Sequence, residues 1–230
     1  MLVVSNIDLG TTTPLMKPSA FLKSSVKGLT LNLNNDYRYL KTGYYVSMHA
    51  EVLGNTVIPT SKNIIDANRT PLLLLEASKA GIPINQYLVT SSVKQIMTEI
   101  DFPIIVFAVN PFSFDGYKTA NNKSALYRAV KSLGMNYKFA VCAQPLKGRM
   151  VSFKSVFGTC PQDEKLAETA KKVYEVFRIP ICKLHVQLIE EKAFLCGLQP
   201  LKKEEILPVD MQLISEEVTR LSLKGDHLVG

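Results

Sequence analysis

Cysteine and histidine are scarce in this sequence of 230 residues, and neither residue occurs in a metal-binding pattern. The four cysteines form no C-x-x-C pair, and the three histidines show no paired ligand spacing. A structural zinc site is therefore disfavoured, and we predict no metal ligand. Because nothing in the chain indicates an oxidising compartment, we expect reduced and mostly buried cysteines.

Long hydrophobic runs are absent as well. No apolar stretch reaches the ~20 residues that a membrane-spanning helix requires, and the first ten residues lack the basic segment of a secretory signal. We therefore predict a cytoplasmic protein that does not interact with membranes. The composition, 47% hydrophobic and 20% charged, is typical of a globular protein.

The common nucleotide-binding and catalytic motifs are missing too, since the sequence has no Walker motif, no G-x-G-x-x-G and no H-E-x-x-H. The net charge is +7, but the basic residues are dispersed along the chain. This charge permits an anionic small molecule as a partner. Nucleic acid is disfavoured as a partner, because the basic residues form no cluster and no known binding motif is present.

What the chain does contain is a mixture of strand and helix patterns along its whole length. Residues 103–109 form an almost continuous apolar run that predicts a buried strand. Residues 181–189 alternate, which predicts a strand with His185 on its outer, exposed face. A turn, a second strand and an amphipathic helix that starts at Pro208 follow. We predict an α/β fold with a mixed or mainly parallel sheet flanked by helices, with a C-terminal β-hairpin and amphipathic helix.

The stretch between residues 31 and 59 concentrates polar and aromatic side chains after a predicted strand. Open α/β sheets bind ligands at that end of their strands, and the basic residues and a helix N-terminus favour an anion there. The candidate ligand-binding residues are Arg38, Tyr39, Lys41, Gly43, Tyr44, Ser47 and Glu51. The structural alternative is that Tyr44 and Tyr45 pack the start of the helix and that Arg38 pairs with Asp36 or Glu51.

The predicted helix in this stretch has apolar residues at helical spacing. Tyr45, Met48 and Val52 recur at i, i+3 and i+7, so we predict that they face the core.

This stretch resembles the N-terminal companion domain of RimK-like ATP-grasp ligases. The matching segments are Asn32-Leu33, Tyr37-Arg38-Tyr39, Gly43-Tyr44-Tyr45-Val46-Ser47, Ala50-Glu51, Gly54 and Ile58-Pro59. A second segment, from Val156 through the last helix, fits the same domain more loosely, and the two together cover about half of the chain. The resemblance implies a domain that accompanies a ligase, which joins a carboxylate to an amine at the expense of ATP.

The middle of the chain resembles an ATP-grasp fragment in which the charged positions are replaced. Residues 102–106 resemble the strand that continues, in that family, into a lysine that holds nucleotide phosphate, and Phe107-Ala108 stands in its place. The metal ligands of the family are an aspartate on one strand and Glu-x-Asn-Pro on the next. Gln187 and Gly197-Leu198-Gln199-Pro200 occupy those places. Because phosphoryl transfer depends on such charges, either the catalytic machinery has decayed or the resemblance of the middle is accidental.

The resemblance implies three segments, with a single domain as the alternative: a pre-ATP-grasp-like α/β unit (1–60), an ATP-grasp-like small subdomain (61–150) and a helix–hairpin–helix closing segment (151–230). The predicted function is a non-catalytic ligand- or partner-binding domain of a ligase system. Its partner would be a separate ATP-grasp ligase subunit or an anionic small molecule. The alternative is a small carboxylate–amine ligase that uses ATP and Mg²⁺, with Asp115, Lys118 and Arg149 as nucleotide-binding residues.

Overall fold

The computed structural model describes residues 1–9, 15–110, 112, 116–160 and 164–225, and within them the chain folds into helices and strands that follow one another along its length. The strands are Leu2–Ser5 (β1), Leu15–Met16 (β2), Thr30–Leu33 (β3), Val57–Ile58 (β4), Leu88–Thr90 (β5), Ile104–Ala108 (β6), Tyr117–Ala120 (β7), Val141–Pro145 (β8), Arg149–Val156 (β9), Ile181–Ile189 (β10) and Lys192–Gln199 (β11). The helices are Pro18–Phe21 (α1), Thr42–Val52 (α2), Ser61–Asn68 (α3), Thr70–Lys79 (α4), Val93–Glu99 (α5), Lys123–Leu133 (α6), Glu164–Phe177 (α7) and Pro208–Gly225 (α8). A short 3-10 helix covers Lys203–Glu205.

The strands divide among three sheets. The first sheet, with the order β2-β1-β3-β4, is parallel throughout. The second sheet (β11-β10-β9) and the third sheet (β5-β8-β6-β7) are antiparallel. The predicted α/β class with a C-terminal β-hairpin, β10–β11, and a final helix is confirmed. Among the described strands, parallel pairing occurs within the first sheet, and one isolated parallel bridge joins Ile84 to Leu195 of β11.

The first sheet is covered by helices on both faces, as parallel sheets usually are. Neighbouring residues of β1 point in opposite directions: Val4 packs with Phe21 and Val46 on one face, and Val3 packs with Ile214 and Val218 on the other. The apolar stripe of α8 therefore faces the core, as its spacing predicts. None of the described helices is both long and apolar enough to span a lipid bilayer.

The predicted core face of α2 is wrong. Tyr45, Met48 and Val52 are 37%, 38% and 79% exposed. The residues of α2 that are buried instead are Gly43, Val46, Ser47 and Ala50. The buried amide of Asn32 on β3 donates hydrogen bonds to the Gly43 carbonyl and to Ser47 Oγ, both at 2.7 Å. These polar contacts fix the rotation of the helix, and only small residues allow so close an approach to the strand.

The second and third sheets pack face to face. On β6, Ile104 and Val106 face the cluster formed with α5 and α6, while Ile105 and Phe107 face the second sheet in a cluster with Cys196. The opposite face of the second sheet packs against α3, α4 and α7. Both faces of β10 are consequently covered, so the side chains that point to either side of this strand are shielded from water.

Candidate functional site

The structure places the seven candidate ligand-binding residues in different environments. Arg38 and Tyr39 lie in the loop between β3 and α2, where they line a cleft. Lys41 is exposed directly before α2, and Glu51 is exposed near its end. The Glu51 carboxylate accepts a hydrogen bond of 2.8 Å from the backbone N–H of Ser61, at the start of α3. Lys41 and Glu51 do not line the cleft.

Gly43 and Ser47 hold α2 against the first sheet. Ser47 is fully buried, and its hydroxyl accepts from Asn32 and donates to the Pro59 carbonyl at 2.6 Å. A Cβ atom at Gly43 would lie 2.7 Å from the Asp36 carbonyl oxygen, so this position has no room for a side chain. The observed contacts of both residues are structural.

Arg38 and Tyr44 make the contacts that the structural alternative predicts. The Arg38 guanidinium binds the Asp36 carboxylate, with Nη2 at 2.6 Å from Oδ2 and Nε at 3.0 Å from Oδ1. This hydrogen bonding raises the pKa of Arg38 above its ordinary value. The Tyr44 ring lies 5.1 Å from the Tyr39 ring and 6.0 Å from the Tyr45 ring, so the three tyrosines pack at the start of α2.

The cleft lined by Arg38 has a volume of about 420 Å³ and draws on all three sheets. Its walls are the loop after β3, the junction of α3 and α4, the end of β6 with the residues that follow it, and the ends of β10 and β11. Its charged residues are Arg38, Arg69, Lys183, Lys202 and Glu205. Four basic side chains and one acidic side chain make the cleft electropositive.

The charges of the cleft differ in how they are compensated. Lys183 forms an ion pair with Glu205, which lowers the pKa of that carboxyl group. Arg38 is paired with Asp36. The Arg69 side chain is only partly exposed, and it makes no hydrogen bond or ion pair with the residues that the structure describes.

Helix α4 begins at the cleft. Thr70 is its first residue, and Arg69 occupies the N-cap position, where its side chain accepts no hydrogen bond from the first turn of the helix. Thr70 is 7% exposed and lines the cleft. The backbone N–H groups of a first helical turn lack partners inside the helix.

Beside the cleft lies the seam, the contact between β6 and β8 of the third sheet and β10 and β11 of the second. The Phe107 ring is so close to Gly197 that a Cβ atom there would lie 2.5 Å from it. Cys196 and Cys142 belong to the same apolar cluster. Gln144, which is fully buried, donates a hydrogen bond of 2.9 Å to the Cys196 carbonyl. The seam is therefore closed and largely apolar.

Gln187, one of the positions that the resemblance relates to a metal ligand, is fully buried in the seam. Its Oε1 accepts hydrogen bonds from the backbone N–H groups of Lys147 at 2.8 Å and Gly148 at 3.2 Å. Its Nε2 donates to the Pro145 carbonyl at 3.0 Å. The amide thus ties the connection between β8 and β9 to the second sheet.

Gln199, the other such position, reaches the edge of the cleft. Its side chain lies directly over Gly116, where a Cβ atom would be 1.1 Å from Nε2. Only a residue without a side chain fits beneath it. The Gln199 amide therefore packs against backbone at the point where the seam meets the cleft.

The prediction of an exposed His185 is wrong, because this residue is only 2% exposed. The outer face of β10 is covered by the third sheet instead of by water. The ring lies 5.1 Å from Tyr117 and 6.5 Å from Phe107, and Nδ1 is 2.7 Å from Ser152 Oγ. Burial lowers the pKa of His185 to about 4.

The residues named for the alternative of a small ligase lie outside the cleft or outside the described residues. Lys118 is half-buried on β7, and Arg149 is exposed at the start of β9; neither lines the cleft. Asp115 falls outside the described residues. Among the residues with described placement, no group of three or more His, Cys, Asp or Glu side chains is positioned to hold a metal ion.

Sequence reasoning missed Arg69, Thr70, Lys183 and Lys202 as residues of the candidate site. One signal was available: Arg69 directly precedes a Thr-Pro pair that opens a helix, and helix N-termini attract anions. No local pattern indicates that this helix start meets the ends of β10 and β11.

Comparison with known proteins agrees with this architecture. The RimK domain ATP-grasp protein of Sphaerobacter thermophilus DSM 20745 superimposes with a TM-score of 0.65 at 14% identity, over 94% of this chain and 98% of that one. The D-alanine–D-alanine ligase of Bacillus anthracis gives 0.65 at 11% identity, over 98% and 100%. The ATP-grasp ligase PsnB, solved with a precursor variant, Mg and ADP, gives 0.57 at 12% identity, over 86% and 87%.

At these identities the similarity to solved structures shows the fold alone, and no curated protein matches the sequence significantly. The family model of the RimK-like ATP-grasp N-terminal domain matches residues 18–217. This range includes the middle of the chain, the first of the two segments that carry the resemblance, and the second segment as far as residue 217, within α8. The chain belongs to the RimK-like ATP-grasp N-terminal domain family.

Proposed function

We propose that this chain is a non-catalytic ATP-grasp relative that binds a ligand or a partner within a carboxylate–amine ligase system. The observation that carries the proposal is the closed seam. Phe107 stands where the resemblance expects a phosphate-holding lysine, and its ring packs on Gly197 with 2% of its surface exposed. A lysine at this position would place an ammonium group in an apolar contact, which is costly without a partner.

The residues at the two carboxylate positions of the metal-ligand set support the same proposal. Mg²⁺ is usually held by carboxylates and phosphates, but Gln187 stands at the aspartate position and Gly197 at the glutamate position of the resemblance, so neither supplies a carboxylate. Both hydrogen-bonding groups of the Gln187 amide are already engaged by backbone groups of the connection between β8 and β9. Gln187 therefore has a structural role, and a side chain that bound a metal ion from this position could not make the same hydrogen bonds to the backbone.

The ligase context comes from the family and from the similar folds. The family is the N-terminal domain of RimK-like ATP-grasp proteins, and two of the similar structures are those of ligases. A separate ATP-grasp ligase would supply the nucleotide chemistry, and this chain would contribute a binding surface. The electropositive cleft is the part of the molecule best suited to that role.

A thermal-shift titration with Mg-ATP, Mg-ADP and metal-free ATP tests the proposal. A ligand that binds only the folded form at ~100 times its Kd adds about 2.7 kcal/mol to the free energy of unfolding. PsnB, whose structure contains Mg and ADP, is the matched positive control. We expect a metal-dependent shift for PsnB and none for this chain at millimolar nucleotide.

A clear Mg-dependent shift of this chain would overturn the proposal and favour the small ligase. In that case Lys118→Gln and Arg149→Gln would be the first variants, with release of inorganic phosphate from ATP as the measured activity.

A further inference from the structure

We propose that the outer surface of α6 binds single-stranded nucleic acid. This α6 surface consists of the exposed face of α6, the segment 135–139 that follows it, and the neighbouring ring of Phe112. Its basic side chains hold phosphates, and its aromatic rings stack on bases. The inference goes beyond the proposed function, because it concerns a different face of the molecule from the cleft and the seam.

The first support is the charge of α6. Its eleven residues include Lys123, Arg128 and Lys131 and no acidic residue, and Lys138 follows in the next segment. All four side chains are exposed, and none of them forms an ion pair with a residue that the structure describes. By contrast, α3, α4, α7 and α8 each contain both signs of charge and an ion pair within the helix. The positive charge of α6 is thus available to a polyanion.

The helix gathers residues that are separated in the sequence. The sequence by itself disfavours nucleic acid because the basic residues are dispersed along the chain. The apolar side of α6 is buried against the third sheet, so the other side faces outward. Lys123, Tyr127 and Lys131 follow one another there at i, i+4 and i+8, which places a ring between two cations.

This arrangement does not stabilise the helix itself. Arg128 and Lys131 are three residues apart, where like charges repel each other. Lys123 is the first residue of the helix, where a positive charge opposes the helix dipole. Local choices that cost stability without a structural return are characteristic of functional surfaces.

The second support is a group of exposed aromatic rings beside these charges. Phe112, Tyr127, Tyr137 and Phe139 are each 37–50% exposed. The rings of Phe112 and Phe139 lie 6.4 Å apart, and Tyr137 Oη lies 3.5 Å from the Tyr127 carbonyl oxygen. Basic side chains interleaved with exposed rings bind single strands, because every base has a face that can stack on an aromatic ring.

The segment after α6 presents its rings from a strained backbone. Met135, Asn136 and Tyr137 have φ angles of 49°, 60° and 64°, a left-handed conformation that is costly for residues other than glycine. The N–H of Asn136 donates a hydrogen bond of 2.7 Å to the Lys131 carbonyl, which holds the segment against the end of the helix. Such strain is concentrated at functional sites, and here it accompanies an exposed tyrosine.

An acidic protein is the competing partner, since it would also be attracted by the positive charge. Lysine is depleted in protein–protein interfaces, whereas it is a common contact for phosphates. Three of the four basic residues of the α6 surface are lysines. The composition of the surface therefore favours nucleic acid.

Fluorescence anisotropy of the full chain with a labelled oligothymidine of about a dozen nucleotides tests the inference. If all four basic side chains contact phosphates, the slope of log K against log salt should be about −3. Lys131→Gln and Arg128→Gln should each weaken binding severalfold and make this slope shallower by about 0.7. Tyr127→Ala should weaken binding about fivefold or more, whereas Tyr127→Phe keeps the ring and should bind like the wild type.

The matched controls remove the same groups elsewhere. Lys171→Gln removes an exposed charge from α7, and Tyr45→Ala removes an exposed ring from α2. Both should leave the affinity unchanged. An abasic strand of the same length keeps the phosphates but has no bases, and it should bind severalfold more weakly.

The inference is overturned if the oligothymidine does not bind at low salt, if Lys171→Gln weakens binding as much as Lys131→Gln, or if the abasic strand binds equally well. A glutamate peptide of the same length that binds as tightly would also overturn it and would assign the surface to an acidic protein. Tighter binding of oligouridine than of oligothymidine supports the site and identifies RNA as the ligand. These results are separate from the Mg-ATP titration, because a chain that binds no oligonucleotide still fits the proposed non-catalytic role.

Discussion

The seam and the cleft lie side by side and share Phe107 and Gln199, yet their chemistry is opposite. The seam is closed by an aromatic ring on Gly197 and by buried neutral amides. The cleft is open and carries four basic side chains. At the positions where the resemblance implies charged residues for nucleotide chemistry, the seam contains packed neutral side chains. The basic side chains lie next to it, in the cleft. Two adjacent regions of one fold thus differ in both charge and openness.

The largest effect should come from removing the ring that closes the seam. Phe107→Ala should lower the free energy of unfolding by ~3–5 kcal/mol, because it leaves a cavity between two packed sheets. Urea denaturation measures the change. Phe102→Ala is the control, since that ring is 38% exposed, and its cost should be about 1 kcal/mol or less. Equal costs for the two variants would mean that the seam is not packed as described.

Overfilling the seam should have the next largest effect. The Cβ atom of Gly197→Ala would lie 2.5 Å from the Phe107 ring, and this overpacking should cost ~1–3 kcal/mol in urea denaturation. The double-mutant cycle with Phe107→Leu isolates the contact. The cost of Gly197→Ala should fall in the Phe107→Leu background, whereas an unchanged cost would place the strain elsewhere.

His185 reports on the seam through pH. Its folded-state pKa of about 4 lies below the ordinary value near 6.5, so the unfolded chain binds the proton more readily and stability falls as the pH drops from about 6.5 towards 4. Between about pH 7.5 and about pH 5.5 this group should remove on the order of 1.4 kcal/mol from the free energy of unfolding. Urea curves of wild type and His185→Gln at both pH values give the difference. If both proteins lose equal stability, His185 is not held neutral in the seam.

The smallest effect on stability should come from the cleft. Arg69→Gln removes a side chain without an intramolecular partner among the described residues, so the free energy of unfolding should change by no more than ~0.5 kcal/mol. Urea denaturation checks this expectation, with Arg128→Gln as the matched change. A loss of several kcal/mol would show that Arg69 supports the fold and would remove the contrast between cleft and seam.

Much of the fold could be predicted from local patterns. The continuous apolar run of β6 and the alternating pattern of β10 each correspond to an observed strand. The helical spacing of Ile214 and Val218 on α8 corresponds to the face of that helix that is buried. The pattern of α2 misled, because Tyr45, Met48 and Val52 have the right spacing but face water. There the buried amide of Asn32 and the small residues of the helix decided which side faces the sheet.

The candidate site could be predicted only in part. Arg38 and Tyr39 were identified from their position after a strand, and both line the cleft. Arg69 and Lys183 could not be identified in the same way, since they come from separate sheets and helices that meet only in the folded chain. The burial of His185 could not be predicted either. Its polar neighbours on the strand indicate an exposed face, but another sheet covers that face in the folded chain.

The sequence by itself determined the α/β class and the family, and it has Phe107, Gln187 and Gly197 at the positions that the resemblance relates to charged residues. These are properties of residue type and order, which a chain carries before it folds. Only the tertiary structure decided that Phe107, Gln187 and Gly197 lie in a closed seam, and that the start of α4 faces a basic cleft. The physical reason is that burial and pairing of charge depend on neighbours brought together by sheet packing, far apart along the chain.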